Sequence, residues 1–121
     1  MQLKYTEVKR GEDMAHMELN DSNFDKEVIE KSNGSYVLVD FWAPWCMPCL
    51  MLAPNLEKVA SEFKNLNFVK VNVDENSKLG SKYKIMSIPA VKLFKDGKVI
   101  DEFVGSFPEQ GIRDFLKKNI K

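Results

Sequence analysis

Apolar and polar positions along the chain follow two periods, and the switches between them mark out the elements. Residues 36–42, Tyr-Val-Leu-Val-Asp-Phe-Trp, form a nearly unbroken apolar run of β-branched and aromatic side chains, the pattern of a strand buried on both faces. Directly after it, Leu52, Leu56, Val59, Ala60 and Phe63 recur at helical spacing, which predicts a helix from about Cys46 to Phe63. Alternation returns in Phe68-Val69-Lys70-Val71-Asn72-Val73, the next strand. Residues 91–95 and 98–104 are two more, and the Asp96-Gly97 pair between them is a two-residue hairpin signal that makes them antiparallel. Met17-Glu18-Leu19 is a short strand candidate at the other end.

Helix signals fill the remaining spaces. Ser22 is read as an N-cap with Asp25 three residues on, ahead of an apolar stripe of Phe24, Val28 and Ile29 that Asn33-Gly34 ends. Asp74 and Asn76 are start residues for a short helix through Lys82-Tyr83. Ser106-Phe107-Pro108-Glu109 reads as a capping box with proline in the first turn of a closing helix that packs Ile112, Phe115 and Leu116. Pro54 lies inside the long helix and is read as a structural bend. Strands alternating with helices predict the α/β class.

The first residues read differently. Leu3 and Tyr5 alternate with polar residues as a short edge strand would, and Gly11-Glu12-Asp13 then breaks the pattern. Residues 1–16 are therefore read as a loosely ordered N-terminal extension ahead of one domain over 17–121, with a functional arm as the alternative. His16, the only histidine, is far in sequence from the cysteines and is read as a surface residue.

With 121 residues the chain has length for one core and not for two. Eighteen basic and eighteen acidic side chains give zero net charge, which argues against a nucleic-acid or membrane-surface role driven by charge. No apolar run reaches the roughly 18 residues of a membrane span. The first residues are mixed and charged, without an apolar signal core, so a cytoplasmic location is expected. In that compartment a lone cysteine pair points to catalysis or metal binding rather than to a structural staple.

Both cysteines fall in Cys46-Met47-Pro48-Cys49, at the switch from buried strand to helix. The first turn of a helix carries unpaired N–H groups and the positive end of the helix dipole, so a Cys46 thiolate there is stabilised and its pKa is expected below that of a free thiol. Cys49 lies one turn on, on the same face, within bridging reach. Cys46 can then attack a partner's disulfide, and Cys49 is placed to resolve the mixed disulfide. Pro48 suits the first turn, where its missing N–H costs nothing. Asp40 is a carboxylate inside an apolar strand run. It either reaches solvent at the strand end or is a buried proton acceptor beneath the disulfide, its pKa raised towards neutrality. Lys70 is either a solvent-facing strand residue or an ammonium near Asp40.

These residues and their order resemble the thioredoxin family. The resemblance covers residues 17–121 and rests on Val39-Asp40-Phe41-Trp42-Ala43-Pro44-Trp45-Cys46, Pro54, Val71-Asn72-Val73-Asp74-Glu75-Asn76, Ser87-Ile88-Pro89, Phe94-Lys95-Asp96-Gly97 and Val104-Gly105. It implies a thioredoxin fold, with a central mixed sheet of four to five strands, residues 36–42 in the middle and helices on both faces. It implies a redox-active disulfide in which Cys46 is the exposed nucleophile and Cys49 the buried resolving thiol, with Asp40 the buried acid and Lys70 its neighbour. Pro89 would be held cis beside the disulfide, with the backbone of Ile88 pairing with substrate. Trp45, Met47, Pro48, Ile88, Pro89 and Gly105 would form the docking surface. The implied activity is protein-disulfide reduction by a monomer acting on disulfide-containing proteins. Electrons would come from a thioredoxin reductase or an equivalent donor, since the chain has no nucleotide-binding signature and no cofactor of its own.

Four positions depart from the family pattern. Met47, Leu50, Lys84 and Ala90 stand where glycine, lysine, glycine and threonine are common. A different use of the pair, as ligands of zinc or an iron–sulfur cluster, needs four ligands and so a site shared between two chains. A third reading keeps the same apolar face as a binding module without turnover.

Overall fold

The computed structural model describes residues 17–121. The strands are β1 (Met17–Leu19), β2 (Tyr36–Trp42), β3 (Leu66–Asn72), β4 (Ala90–Lys95) and β5 (Lys98–Val104). They form one sheet in the order β1-β3-β2-β4-β5, so the run that is apolar on both sides takes the middle place. β1 and β2 both pair with β3 in parallel, and β4 runs antiparallel to β2 and to β5. A π-helical turn over Asp25–Glu30 runs into a 3-10 turn over Lys31–Asn33, and three α-helices follow: α1 (Met47–Ala60), α2 (Ser77–Lys82) and α3 (Glu109–Asn119). The expected edge strand around Leu3 and Tyr5, the extension over residues 1–16 and His16 lie outside the described residues.

Alternation along β2 divides the interior into two cores. Val37, Val39 and Phe41 point to one face, where Val69 and Val71 of β3, Val28 of the π-helical turn, Phe24 just before it and Leu79 of α2 join them. Phe24, Tyr83 and Phe94 close that side as a triangle of rings with centroids 5.5–5.9 Å apart. Leu38 points the other way, with Val91 and Leu93 of β4 and Phe103 of β5, under Leu52, Leu56 and Val59 of α1 and Ile112, Phe115 and Leu116 of α3. Each fully buried leucine or phenylalanine contributes about 2 kcal/mol of transfer free energy, so α1 is held to the sheet chiefly by its inward stripe. The mixed sheet with helices on both faces is the architecture expected from the sequence.

Several helix ends differ from expectation. Ser22 is not an N-cap: Asn20 Oδ1 accepts the N–H of Ser22 (2.9 Å), the N–H of Asn23 (3.1 Å) and the Ser22 hydroxyl (2.7 Å). The stronger acceptor, nearer the strand, organises that turn, and the π-helical segment starts after Phe24 with no side-chain cap. Asn76 does precede α2, but its side chain is engaged elsewhere, accepting the Asp21 N–H and donating to the Asn72 carbonyl. The α2 donor that needs a cap, Leu79 N–H, is satisfied by Asp21 Oδ1 at 3.1 Å, from 58 residues away. No capping box forms at Ser106, because Phe107 stacks on Phe103 (centroids 4.2 Å apart) and Pro108 stays extended, so α3 starts only at Glu109. The first long helix is continuous through Pro54 and stops at Ala60 rather than near Phe63, although Phe63 still packs on the second core.

Candidate active site

The site is built where β2 hands over to α1. After Trp42 the chain turns through residues 43–45, and the Cys46 N–H donates to the Ala43 carbonyl (3.1 Å). Cys46 occupies the N-cap position of α1 in an extended conformation, and its Sγ accepts the N–H of Cys49 at 3.2 Å. The sulfur thus fills the place of a capping oxygen, satisfying one of the four unpaired donors of the first turn. Pro48 sits in that turn, where no hydrogen bond is asked of it. Cys46 and Cys49 form a disulfide with their Cα atoms 5.3 Å apart, within the ordinary range for such a bridge.

Expected as exposed, Cys46 is only 4% exposed in this oxidised form, and Cys49 1%. Both pack with Ala43 against Trp42, Val73 and Ile88. Cys46 Sγ lies 3.9 Å from the carbonyl oxygen of Ile88, and the Ile88–Pro89 peptide bond is cis. Pro89 itself is buried, so it shapes the rim of the site more than it offers surface; Ile88 and Gly105 are half-buried. Gly105 has φ +97°, which calls for glycine although a Cβ there would meet nothing, and its N–H donates to the Pro89 carbonyl at 2.8 Å.

The open face around the disulfide is apolar. Trp45 is 69% exposed, Met47 62% and Met86 90%, and Pro48, Leu50 and Met51 are exposed beside them. Met47, Leu50 and Met51 follow the i, i+3, i+4 spacing of one helix face. Trp45 is fixed by its indole N–H, which donates to Asp74 Oδ2 at 2.8 Å. In the sequence Asp74 reads as a helix-start residue, and nothing in its local context announces a partner 29 positions away.

Beneath the disulfide, Asp40 is fully buried on the α1 side of β2. Neither of its carboxyl oxygens has a hydrogen-bond partner among the described residues. Burial pushes its pKa up to about 7; Lys70 opposes that shift, and Glu18 and Glu57 add to it. The alternative of a carboxylate reaching solvent is thereby overturned. Lys70 stands opposite Asp40 in the β2–β3 register and is itself buried, its ammonium 4.5 Å from the centroid of the Trp42 ring. A solvent-facing Lys70 is overturned as well. Glu18 and Glu57 were missed in the sequence, where each is an ordinary acidic residue. Among the described residues no three His, Cys, Asp or Glu side chains form a metal-binding cluster, and no helix is long and apolar enough to cross a membrane.

A family model described as Thioredoxin matches residues 15–118 of the chain. The chain belongs to the thioredoxin family. It is similar to the thioredoxin of Staphylococcus saprophyticus subsp. saprophyticus, with 41% identity over 108 residues that span 88% of this chain and 100% of the relative. Against thioredoxin 1 of Synechococcus elongatus the identity is 44% over 84% of this chain and 94% of the relative. Against the thioredoxin of Buchnera aphidicola subsp. Schizaphis graminum it is 45%, over 87% and 96%. With a thioredoxin-family sheet and a bridged cysteine pair at the start of α1, the protein is a thiol–disulfide oxidoreductase.

Proposed function

We propose that the protein reduces disulfides in other proteins, with Cys46 as nucleophile, Cys49 as resolving thiol and Asp40 as the base that serves Cys49. In the reduced form the Cys46 thiolate attacks one sulfur of a substrate disulfide and expels the other as thiolate, leaving a mixed disulfide. Asp40 takes the Cys49 proton, and the Cys49 thiolate attacks Cys46 Sγ, expelling the second substrate sulfur. Two electrons pass to the substrate, and the Cys46–Cys49 bridge remains for an external donor such as a thioredoxin reductase to reduce. The single observation that carries this reading is Cys46 Sγ taking the N–H of Cys49 at the N-cap of α1. Once the bridge is reduced, a backbone donor and the helix dipole at that place favour the thiolate over the thiol.

Trp45, Met47, Pro48 and Ile88 serve as the docking surface, with Pro89 and Gly105 holding its shape and the Ile88 backbone beside Cys46 pairing with the substrate chain. The working unit is a monomer in the cytoplasm, formed by residues 17–121, and residues 1–16 are an extension to it. A lone cysteine pair in a reducing compartment fits turnover better than stapling.

Trapping tests the reading. Cys49→Ser is expected to accumulate substrate proteins as mixed disulfides on Cys46, and Cys46→Ser to accumulate none. Substrates held through Cys49 in Cys46→Ser would reverse the assignment. Removal of residues 1–16 is expected to leave the exchange rate unchanged.

A further inference from the structure

The parallel registers place three charged positions in one row across the sheet: Glu18 of β1 opposite Lys70 of β3, and Lys70 opposite Asp40 of β2. Directly paired residues of neighbouring strands point to the same face, so all three side chains lie on the α1 side. Trp42, two residues beyond Asp40 on β2, shares that face. Its indole is held from two directions. Glu18 Oε1 accepts the ring N–H at 3.4 Å, and the Lys70 ammonium sits over the ring face, 4.5 Å from its centroid. An ammonium so placed is attracted by the ring quadrupole. The same row leaves Asp40, the third member, with no hydrogen bond to either oxygen among the described residues.

We propose that Glu18 is a positioning residue for the second half of the exchange: by fixing the Trp42 indole and drawing positive charge to the β1 side, it keeps the Lys70 ammonium on the ring and off Asp40, which stays free to accept the Cys49 proton. This rests on the reading of Asp40 as the base. Were Lys70 to swing onto Asp40, the carboxylate would be neutralised by an ion pair and become a weak base. The groups that bear on Asp40 are few. β3 supplies Lys70, β1 supplies Glu18 and α1 supplies Glu57, while the facing residue of β4 is the uncharged Val91. The Glu18 carboxylate acts in the same direction by its charge, since it disfavours ionisation of Asp40.

Two variants separate the charge of Glu18 from its grip on the indole. Glu18→Gln keeps an oxygen that can accept the Trp42 N–H and removes the charge; Glu18→Ala removes both. In the reduced full-length protein, the Asp40 carboxyl is titrated by carbon NMR. In parallel, the rate at which Cys49 resolves a mixed disulfide between Cys46 and a small aryl thiol is followed against pH. Both variants are expected to shift the Asp40 titration and the rate profile to lower pH. Glu18→Ala should shift them further, and its limiting rate above the Asp40 titration should fall about twofold below that of Glu18→Gln, because an ion-paired Asp40 is the weaker base. Equal shifts in the two variants would overturn the part played by the grip on the indole, and no shift in either would overturn the whole proposal. Asp40→Asn run alongside keeps the two readings apart. If it leaves the rate profile unchanged, the base reading fails, while the carboxyl titration still decides what Glu18 does.

Discussion

Asp40 faces Lys70 directly across the parallel pairing of β2 and β3, yet neither oxygen of Asp40 takes a hydrogen bond from any described residue, and the Lys70 ammonium lies over Trp42 instead. A buried carboxyl without a donor favours its protonated form, because burial penalises the charge. Folding raises the Asp40 pKa from an ordinary 3.8 to about 7, so between those values the native state binds more protons than the unfolded chain. The contribution of this group to stability is therefore most favourable below about pH 4. It falls through the window from 4 to 7 and is constant above. Asp40→Asn removes the ionisation. The variant is expected to match the parent near pH 4 and to exceed its stability by about 3–4 kcal/mol at pH 8. Urea unfolding of the oxidised protein at pH 4, 6 and 8 checks this, and a gap that shrinks as pH rises would contradict it. The same variant is expected to slow the resolution of mixed disulfides.

Lys84 adopts φ +53° at the end of α2. The Lys84 N–H donates to the Ser81 carbonyl (3.1 Å) and the Ile85 N–H to the Gly80 carbonyl (2.9 Å), the paired bonds of a Schellman ending. That ending puts its left-handed residue where a side chain is penalised, and here it carries lysine. Lys84→Gly relieves the penalty and adds entropy to the unfolded chain, which offsets part of the gain. A net stabilisation of about 0.5–1 kcal/mol is expected by denaturant titration. A destabilised variant would mean that the lysine side chain makes contacts worth more than the strain.

Legibility in the sequence followed the range of the interactions. Tyr36–Trp42 is apolar on both faces because it is the middle strand, and that alone places it. Asp96-Gly97 announces its hairpin because both residues need positive φ, and they have it, at +54° and +79°. Cys46 and Pro48 could be read because capping and first-turn chemistry act within three residues. The caps that failed were decided by distant competitors. Asp21 caps α2 from the loop after β1, and the Phe107–Phe103 stack keeps Ser106 out of α3. Glu18 as the third member of the charged row was hidden for the same reason, since it meets Lys70 and Asp40 only through strand order, with β3 lying between β1 and β2.

Ser32 ties the end of the first helical segment to the hairpin. Fully buried, it donates its hydroxyl to the Ile29 carbonyl (2.8 Å) and accepts the Gly97 N–H (2.8 Å), while its own carbonyl accepts the Asp96 N–H (2.8 Å). Ser32→Ala keeps the backbone bond and leaves the other two partners, both half-buried, without their side-chain bonds. The expected loss is about 1–3 kcal/mol, with Gly97 losing protection in amide exchange before the β2 amides do. An unchanged stability would show that water reaches the turn.

Met47 projects from the first turn of α1 beside Cys46 and is largely exposed, in a position where the family commonly has glycine. With Leu50, Met51 and Met86 it makes the rim apolar and adaptable, since an unbranched thioether can fill irregular contacts. Docking a protein substrate would bury part of that side chain, worth about 1 kcal/mol, or roughly fivefold in kcat/KM. A small aryl disulfide reaches the sulfur without covering the rim. Met47→Gly is thus expected to lower kcat/KM for protein disulfides about fivefold and to leave the small disulfide within about twofold of the parent. Leu50→Lys should act in the same direction, most strongly on substrates with basic flanks, because it adds a like charge as well as removing apolar surface. If protein and small-molecule disulfides slow by the same factor in Met47→Gly, the side chain acts on the reactive sulfur or on the helix end, and the rim takes no part in choosing substrates.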